Sequence, residues 1–228
     1  MKILVTGCSK GFGKAIASTL SIDKNNCIIN LGRSIADQNI VADNIISDFN
    51  DPISLEETLN SSNQSPELAI LNAGQLGSIN HCNKVTYEEL QNSLNVNVVS
   101  TKVILDYLIK VKTNDVIIIS SGAASKPYTG WLEYCVSKAS LNMLSSVYAC
   151  ENLFRKIIIV SPGILKTDMN KSIKKSNLKP FPGLSKFESV SPVDPYKVAE
   201  FMFNNYNILN NRSGSFVDLR TIEGYPAY

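Results

Sequence analysis

The sequence predicts an α/β protein, a Rossmann-type doubly wound parallel sheet of about seven strands with helices on both faces, forming a single domain over residues 1–228. Three observations carry this. Short runs rich in Val and Ile alternate with longer helical patterns along the whole chain. Those runs are almost continuously apolar, as strands covered on both faces must be. A cluster of glycines falls at the first strand-to-helix junction, the place where open α/β sheets receive ligands.

The elements follow in order. Residues 2–6, 27–31, 68–72, 116–120 and 156–160 read as buried strands, 45–47 as a weaker one and 216–219 as the last. Helical patterns lie at 12–20, 54–60, 86–110, 131–154 and 194–205. Thr86 followed by Glu89 is a capping-box signature for the helix that starts there. Alternating β and α segments imply right-handed crossovers and a parallel sheet. One segment, about 170–192, resists the pattern. It is basic, carries Pro180, Pro182 and Gly183, and reads as a lid or a disordered loop.

Bulk properties narrow the function. The chain has 228 residues, 44% of them hydrophobic and 18% charged, with a formal net charge of +2. That balance is ordinary for a globular domain and gives no reason to expect a nucleic-acid or membrane partner. Lys171, Lys174, Lys175 and Lys179 form the one local excess of charge. It is either a solvated loop or a lid surface that attracts an anionic substrate or a cofactor phosphate. The cysteines are Cys8, Cys27, Cys82, Cys135 and Cys150. Their odd number and the lack of a CxxC pair suggest neither disulfides nor a metal site, and they read as buried thiols. The strand pattern begins at Lys2, and no apolar run nears the roughly 20 residues of a membrane span, so a cytoplasmic location is expected. The single histidine, His81, has no evident Ser, Cys or acidic partner and reads as a surface-loop residue, against a hydrolase.

Thr6-Gly7-Cys8-Ser9-Lys10-Gly11-Phe12-Gly13 joins the first strand to the first helix. Glycines at 7, 11 and 13 allow a tight turn and close approach to a pyrophosphate, and the helix start offers free N–H groups. This Thr-Gly-x-x-x-Gly-x-Gly form resembles the short-chain dehydrogenases/reductases, and further motifs follow in that family's order. Leu71-Asn72-Ala73-Gly74 resembles its Asn-Asn-Ala-Gly motif, with Leu71 in place of the first Asn. Ser121 stands thirteen residues before Tyr134, and Tyr134 and Lys138 form Tyr-x-x-x-Lys. Ser161-Pro162-Gly163-Ile164, followed by Thr167, resembles its Pro-Gly motif. Gly214 to Leu219 looks closest to carbonyl-reductase-like and C-factor-like members of the short, non-extended branch.

The resemblance implies a cofactor and a reaction. NADP(H) is expected over NAD(H), because Arg33 and Ser34 follow the second strand where a carboxylate would bind ribose hydroxyls, and Lys10 lies in the turn. Both cations could also be plain surface residues. Asp48 and Phe49 match the adenine contacts, although Asp48 could equally be a turn residue. Asn72, Ala73 and Gly74 would pass close to the cofactor. The Pro162-Gly163 turn would let backbone around Ile164 meet the carboxamide, and Thr167 would bond either the carboxamide or a phosphate.

Tyr134 is implied as general acid and base, with Lys138 expected to lower its pKa. Ser121 would hold the substrate oxygen, with Ser120 as its rival. Asn97, with Asn95 as its rival, would hold a relay water through its carbonyl. Tyr128, Trp131 and Phe181 could wall the substrate pocket. The substrate is expected to be a small carbonyl or alcohol. The pairing surface of 86–110 and 131–154 implies a homodimer or homotetramer. The alternatives are a non-catalytic NADP(H)-binding sensor on the same fold, and an epimerase or dehydratase, for which the chain is short.

Overall fold

The structure, a computed structural model, describes residues 1–184 and 186–226. Seven strands form one sheet: β1 (Lys2–Thr6), β2 (Cys27–Gly32), β3 (Asp43–Ile46), β4 (Leu68–Leu71), β5 (Asp115–Ile119), β6 (Lys156–Ser161) and β7 (Phe216–Asp218). Their order is β3-β2-β1-β4-β5-β6-β7, and every neighbouring pair is parallel. The order reverses between β1 and β4, so a crevice opens beyond their carboxyl ends.

Strand periodicity divides the core into two layers. Ile3 and Val5, Ile117 and Ile119, and Ile158 and Val160 face one side, where α1 (Gly11–Leu20) and α8 (Pro195–Asn204) cover them. Leu4, Val116, Ile118, Ile157 and Ile159 face the other. That side is covered by α2 (Pro52–Ser61), α4 (Ser100–Lys110) and α5 (Leu132–Cys150). Both residue parities are buried, which is why the strands read as unbroken apolar runs.

Asn30 is the exception in β2. It shares a face with Ile28 and is fully buried. Its Oδ1 accepts from Cys8 N at 3.0 Å, and its Nδ2 donates to Ser34 O and to Asn44 Oδ1. One buried amide thus fixes the glycine turn and the chain after β2 to each other, with all its strong contacts satisfied.

Several expectations change. The predicted helix 86–110 begins with the capping box at Thr86 and Glu89, but it is three pieces: α3 (Tyr87–Leu94), a π-helical turn (Asn95–Val99), and α4. The segment 170–192 is not a featureless loop. It takes in most of α6 (Asp168–Lys175) and all of α7 (Lys186–Ser189), and it buries Ile173, Leu178, Phe181, Leu184 and Phe187 in a third apolar cluster with Trp131 and Ala123. A further short helix, α9 (Tyr206–Asn210), follows α8. The cysteines are not uniformly buried. Cys8 is, Cys27 and Cys135 are partly so, and Cys82 and Cys150 are exposed. No helix among the described residues is long and apolar enough to cross a membrane.

Candidate active site

The carboxyl edge of the sheet opens into a cavity of about 900 Å³. Its floor at one end is the glycine turn. Gly7 has φ +77°, a conformation an L side chain rarely adopts, and its N–H donates to Leu31 O. Gly13 does not line the cavity. A Cβ there would lie 2.1 Å from Gly7 O, so glycine lets the start of α1 close onto the turn. Thr6 completes the junction: its hydroxyl accepts from Asn72 N and Ala73 N, while Asn72 Nδ2 donates to Thr6 O. The groove so formed, with backbone donors at a helix start, fits a dinucleotide's pyrophosphate.

Ser9, Lys10, Gly11, Phe12, Arg33, Ser34, Asp48 and Phe49 line the same end of the cavity. Lys10 and Arg33 are exposed and form no ion pair among the described residues. Asp48 also makes a turn, accepting from Asn50 N. Ala73, Gly74, Pro162, Gly163, Ile164 and Thr167 continue the wall.

Ser121, Tyr134 and Lys138 meet at the middle of the cavity. Ser121 lies two residues beyond the end of β5 and precedes a short 3₁₀ turn that it caps, its Oγ accepting from Ala123 N. Tyr134 and Lys138 lie on the first turns of α5, four residues apart and so on one face. Lys138 is 4% exposed; its Nζ donates to Ile119 O at 3.0 Å and lies 5.9 Å from the centre of the Tyr134 ring. Burial lowers the Lys138 pKa to about 8. The Tyr134 phenol is not lowered as expected. Burial raises it, and the neighbouring Ser121 hydroxyl opposes that shift. Ser120 points to other work, donating to Asn142 Oδ1.

Asn97 is buried and does not line the cavity. Its Oδ1 accepts from Gln75 N at 2.8 Å, and its Nδ2 donates to Gln75 O and Ser137 Oγ. The π turn carries it, and such insertions re-aim side chains at functional sites. Asn95 instead faces Asn50 and Gln91. Phe181 is also outside the cavity, stacked near His81 at 4.9 Å, and Phe187 takes its expected place beside Tyr128 and Trp131.

One residue escaped the sequence reading. Glu133 is 2% exposed and accepts from Ser78 N, Ser78 Oγ and Ser93 Oγ. A Cβ on Gly77 would lie 2.4 Å from its Oε2, and Gly77 has φ +78°. Glu133 therefore clamps the loop after β4, whose Leu76 and Gly77 line the cavity, to the residue before Tyr134. A carboxylate in a helix's first turn gives no such signal in sequence, because a solvated charge there is equally favourable. Glu133→Ala should cost about 3 kcal/mol, the penalty for stranding buried donors, with Glu133→Gln costing less. Urea denaturation of the two variants checks the order, and equal stability of alanine variant and wild type would remove the clamp.

Comparison with known proteins agrees with this geometry. The short chain dehydrogenase family matches residues 1–178. A benzil reductase ((S)-benzoin forming) of Bacillus subtilis is 29% identical over 219 residues, covering 87% of this chain and 88% of its own. A short chain dehydrogenase/reductase of Saccharomyces cerevisiae superposes with a TM-score of 0.80 at 25% identity, covering 96% of this chain and 95% of its own. At 18% identity, an actinorhodin polyketide ketoreductase solved with NADPH shares the fold, with a TM-score of 0.79 over 100% of this chain and 97% of its own.

Proposed function

Because the chain belongs to the short-chain dehydrogenases, a family of nicotinamide-dependent oxidoreductases, we propose that it is an NADP(H)-dependent reductase of small carbonyl compounds. The observation that carries this reading is the meeting of Ser121, Tyr134 and Lys138 in one cavity whose far end presents Lys10 and Arg33. The relatives named benzil reductase make an aryl ketone a fitting first substrate.

The cofactor, when bound, supplies hydride to the carbonyl carbon. The protein's part is positioning and proton delivery. Gly7, Gly11 and the start of α1 would hold the pyrophosphate. Arg33 and Lys10 would pair with a 2′-phosphate, for which a guanidinium fork is well shaped. Asp48 and Phe49 would hold the adenine, and Asn72, Ala73 and Gly74 the adenosine side. Pro162, Gly163, Ile164 and Thr167 would hold the nicotinamide end. Ser121 orients the substrate oxygen, and Tyr134 gives it a proton. Lys138, whose Nζ lies 5.9 Å from the Tyr134 ring, would serve to restore that proton. Asn97 acts as a positioning residue: it holds Gln75 and Ser137, and through them the loop and helix that flank Lys138.

The same triad argues for turnover over a purely sensory role, since a sensor has no need of a proton donor beside the reactive ring. On α5, Val136, Met143 and Val147 are exposed, as is Val99 in the π turn. That apolar stripe supports a homodimer or homotetramer formed through these helices. Light scattering should give a mass of two or four chains; a monomer at assay concentration would reject it.

Two further outcomes are expected. Burial keeps Tyr134 protonated through neutral pH, while Lys138 loses its proton as pH rises through about 8. Carbonyl reduction should therefore be flat below that pH and fall above it, and Tyr134→Phe should abolish turnover at every pH while leaving cofactor affinity within about twofold, because the change removes only the proton donor. A reductase still active without the phenol would overturn the proton-donor role. Arg33→Asp should weaken NADPH binding by about a hundredfold, the loss of a charge-assisted pair together with an added repulsion. Fluorescence titration with NADPH and NADH measures it, and an unchanged preference removes Arg33 from cofactor selection.

A further inference from the structure

Strand β2 carries an amide among hydrocarbon neighbours. Asn30 is fully buried on the face it shares with Ile28, in the layer that also holds Ala36 and Val41. Directly opposite it in the register of the edge strand β3 stands the half-buried Asn44. The two side chains pair, Asn30 Nδ2 donating to Asn44 Oδ1 at 2.8 Å. Each holds backbone as well. Asn44 Oδ1 accepts from Ala36 N at 2.8 Å, and Asn30 Nδ2 donates to Ser34 O at 3.0 Å. Asn30 Oδ1 reaches the other way, accepting from Cys8 N in the glycine turn. A polar side chain inside a sheet costs desolvation that Val or Leu there would not. The bonds that offset this cost end on two segments, the glycine turn and residues 34–36.

The second segment matters for what it carries. Arg33 and Ser34 line the cavity, and Arg33 is exposed. Gly32, just before them, is the last residue of β2, and its carbonyl accepts from Ser47 N. Arg33 therefore stands between two fixed points, the strand end and the tethered carbonyl of Ser34.

We propose that Asn44, paired with Asn30, is a positioning residue for cofactor selection: it holds residues 34–36 so that Arg33 and Ser34 are pre-set to take a 2′-phosphate. This deepens the NADP(H) reading and rests on it. A loose loop loses conformational freedom when its side chains pair with a phosphate, and that loss subtracts from affinity. A loop already fixed at Ser34 and Ala36 loses less. NAD(H) has no 2′-phosphate and gains little from the order of this loop, so the amide pair favours one cofactor over the other. The two asparagines also divide the work. Asn44 bonds the 34–36 segment, whereas Asn30 bonds that segment and the glycine turn together.

The test measures binding. By fluorescence titration, Asn44→Ala should bind NADPH about fivefold more weakly than wild type and NADH within about twofold of it, the effect of losing one pre-organising bond. Calorimetry with adenosine 2′,5′-bisphosphate and adenosine 5′-monophosphate should repeat the contrast on fragments without a nicotinamide. In an Arg33→Ala background, Asn44→Ala should weaken NADPH by less than about a further twofold, because the loop acts chiefly through that guanidinium and coupled residues are not additive. A merely structural role would weaken both cofactors alike, with or without Arg33. Hydrogen exchange gives a direct readout of the tether: the Ala36 amide should exchange faster in the Asn44→Ala protein. Asn44→Leu keeps the volume and loses the acceptor, and it serves if the alanine variant folds poorly.

Equal weakening of NADPH and NADH, weakening of neither, or the same loss in the absence of Arg33 would overturn the positioning role. Wild-type protein that prefers NADPH through Arg33, with that preference intact in Asn44→Ala, would overturn this inference and leave the NADP(H) reading standing. Wild-type protein with no preference for NADPH would overturn the reading itself.

Discussion

The structure turns on one buried hydrogen bond, from Lys138 Nζ to Ile119 O at 3.0 Å. Ile119 ends β5, and its carbonyl lies where the next strand residue would otherwise continue the ladder. The ammonium of α5 satisfies it. This fixes the helix against the strand end, and Ser121 and Tyr134 then sit on either side of the same joint. An ammonium 4% exposed is held at the cost of its own basicity, which is why burial brings it to about 8.

The joint alone would not shape a pocket. The loop after β4 crosses in front of it, and two buried polar side chains hold that loop. Asn97 binds both backbone groups of Gln75, and Glu133 binds both donors of Ser78. The two anchors come from different elements, the π turn and α5, and both are saturated with partners. The loop is thereby registered against the helix that carries Tyr134, and the fit leaves no room for a side chain at Gly77.

Legibility in the sequence followed the range of the interactions. Five strands were readable within a residue or two, because continuous burial needs continuous apolar residues. The third strand starts earlier than its Ile45 signal because Asp43 and Asn44 pair through backbone with Ile29 and Asn30. The family resemblance supplied Ser121, Tyr134, Lys138 and the glycine turn, since each belongs to a local motif. What stayed hidden depends on distant partners. Nothing near Glu133 announces Ser78 and Ser93, 55 and 40 residues away. The helices of 170–192 were missed because their apolar residues serve an irregular cluster around Trp131, without a sustained helical period. The expected lowering of the Tyr134 pKa counted the lysine's charge and omitted the burial of both groups.

The same contrast separates the two ends of the cavity. Near the glycine turn, Asn30 is paired with Cys8 and Asn44, and Thr6 with Asn72 and Ala73. A ligand at that end meets backbone donors and exposed cations, which can accept many phosphate geometries. At the other end the wall is hydrocarbon and aromatic around Trp131, Phe187 and Ile173. The two ends therefore differ in kind: a backbone turn braced by paired polar groups at one, and an aromatic and hydrocarbon wall at the other.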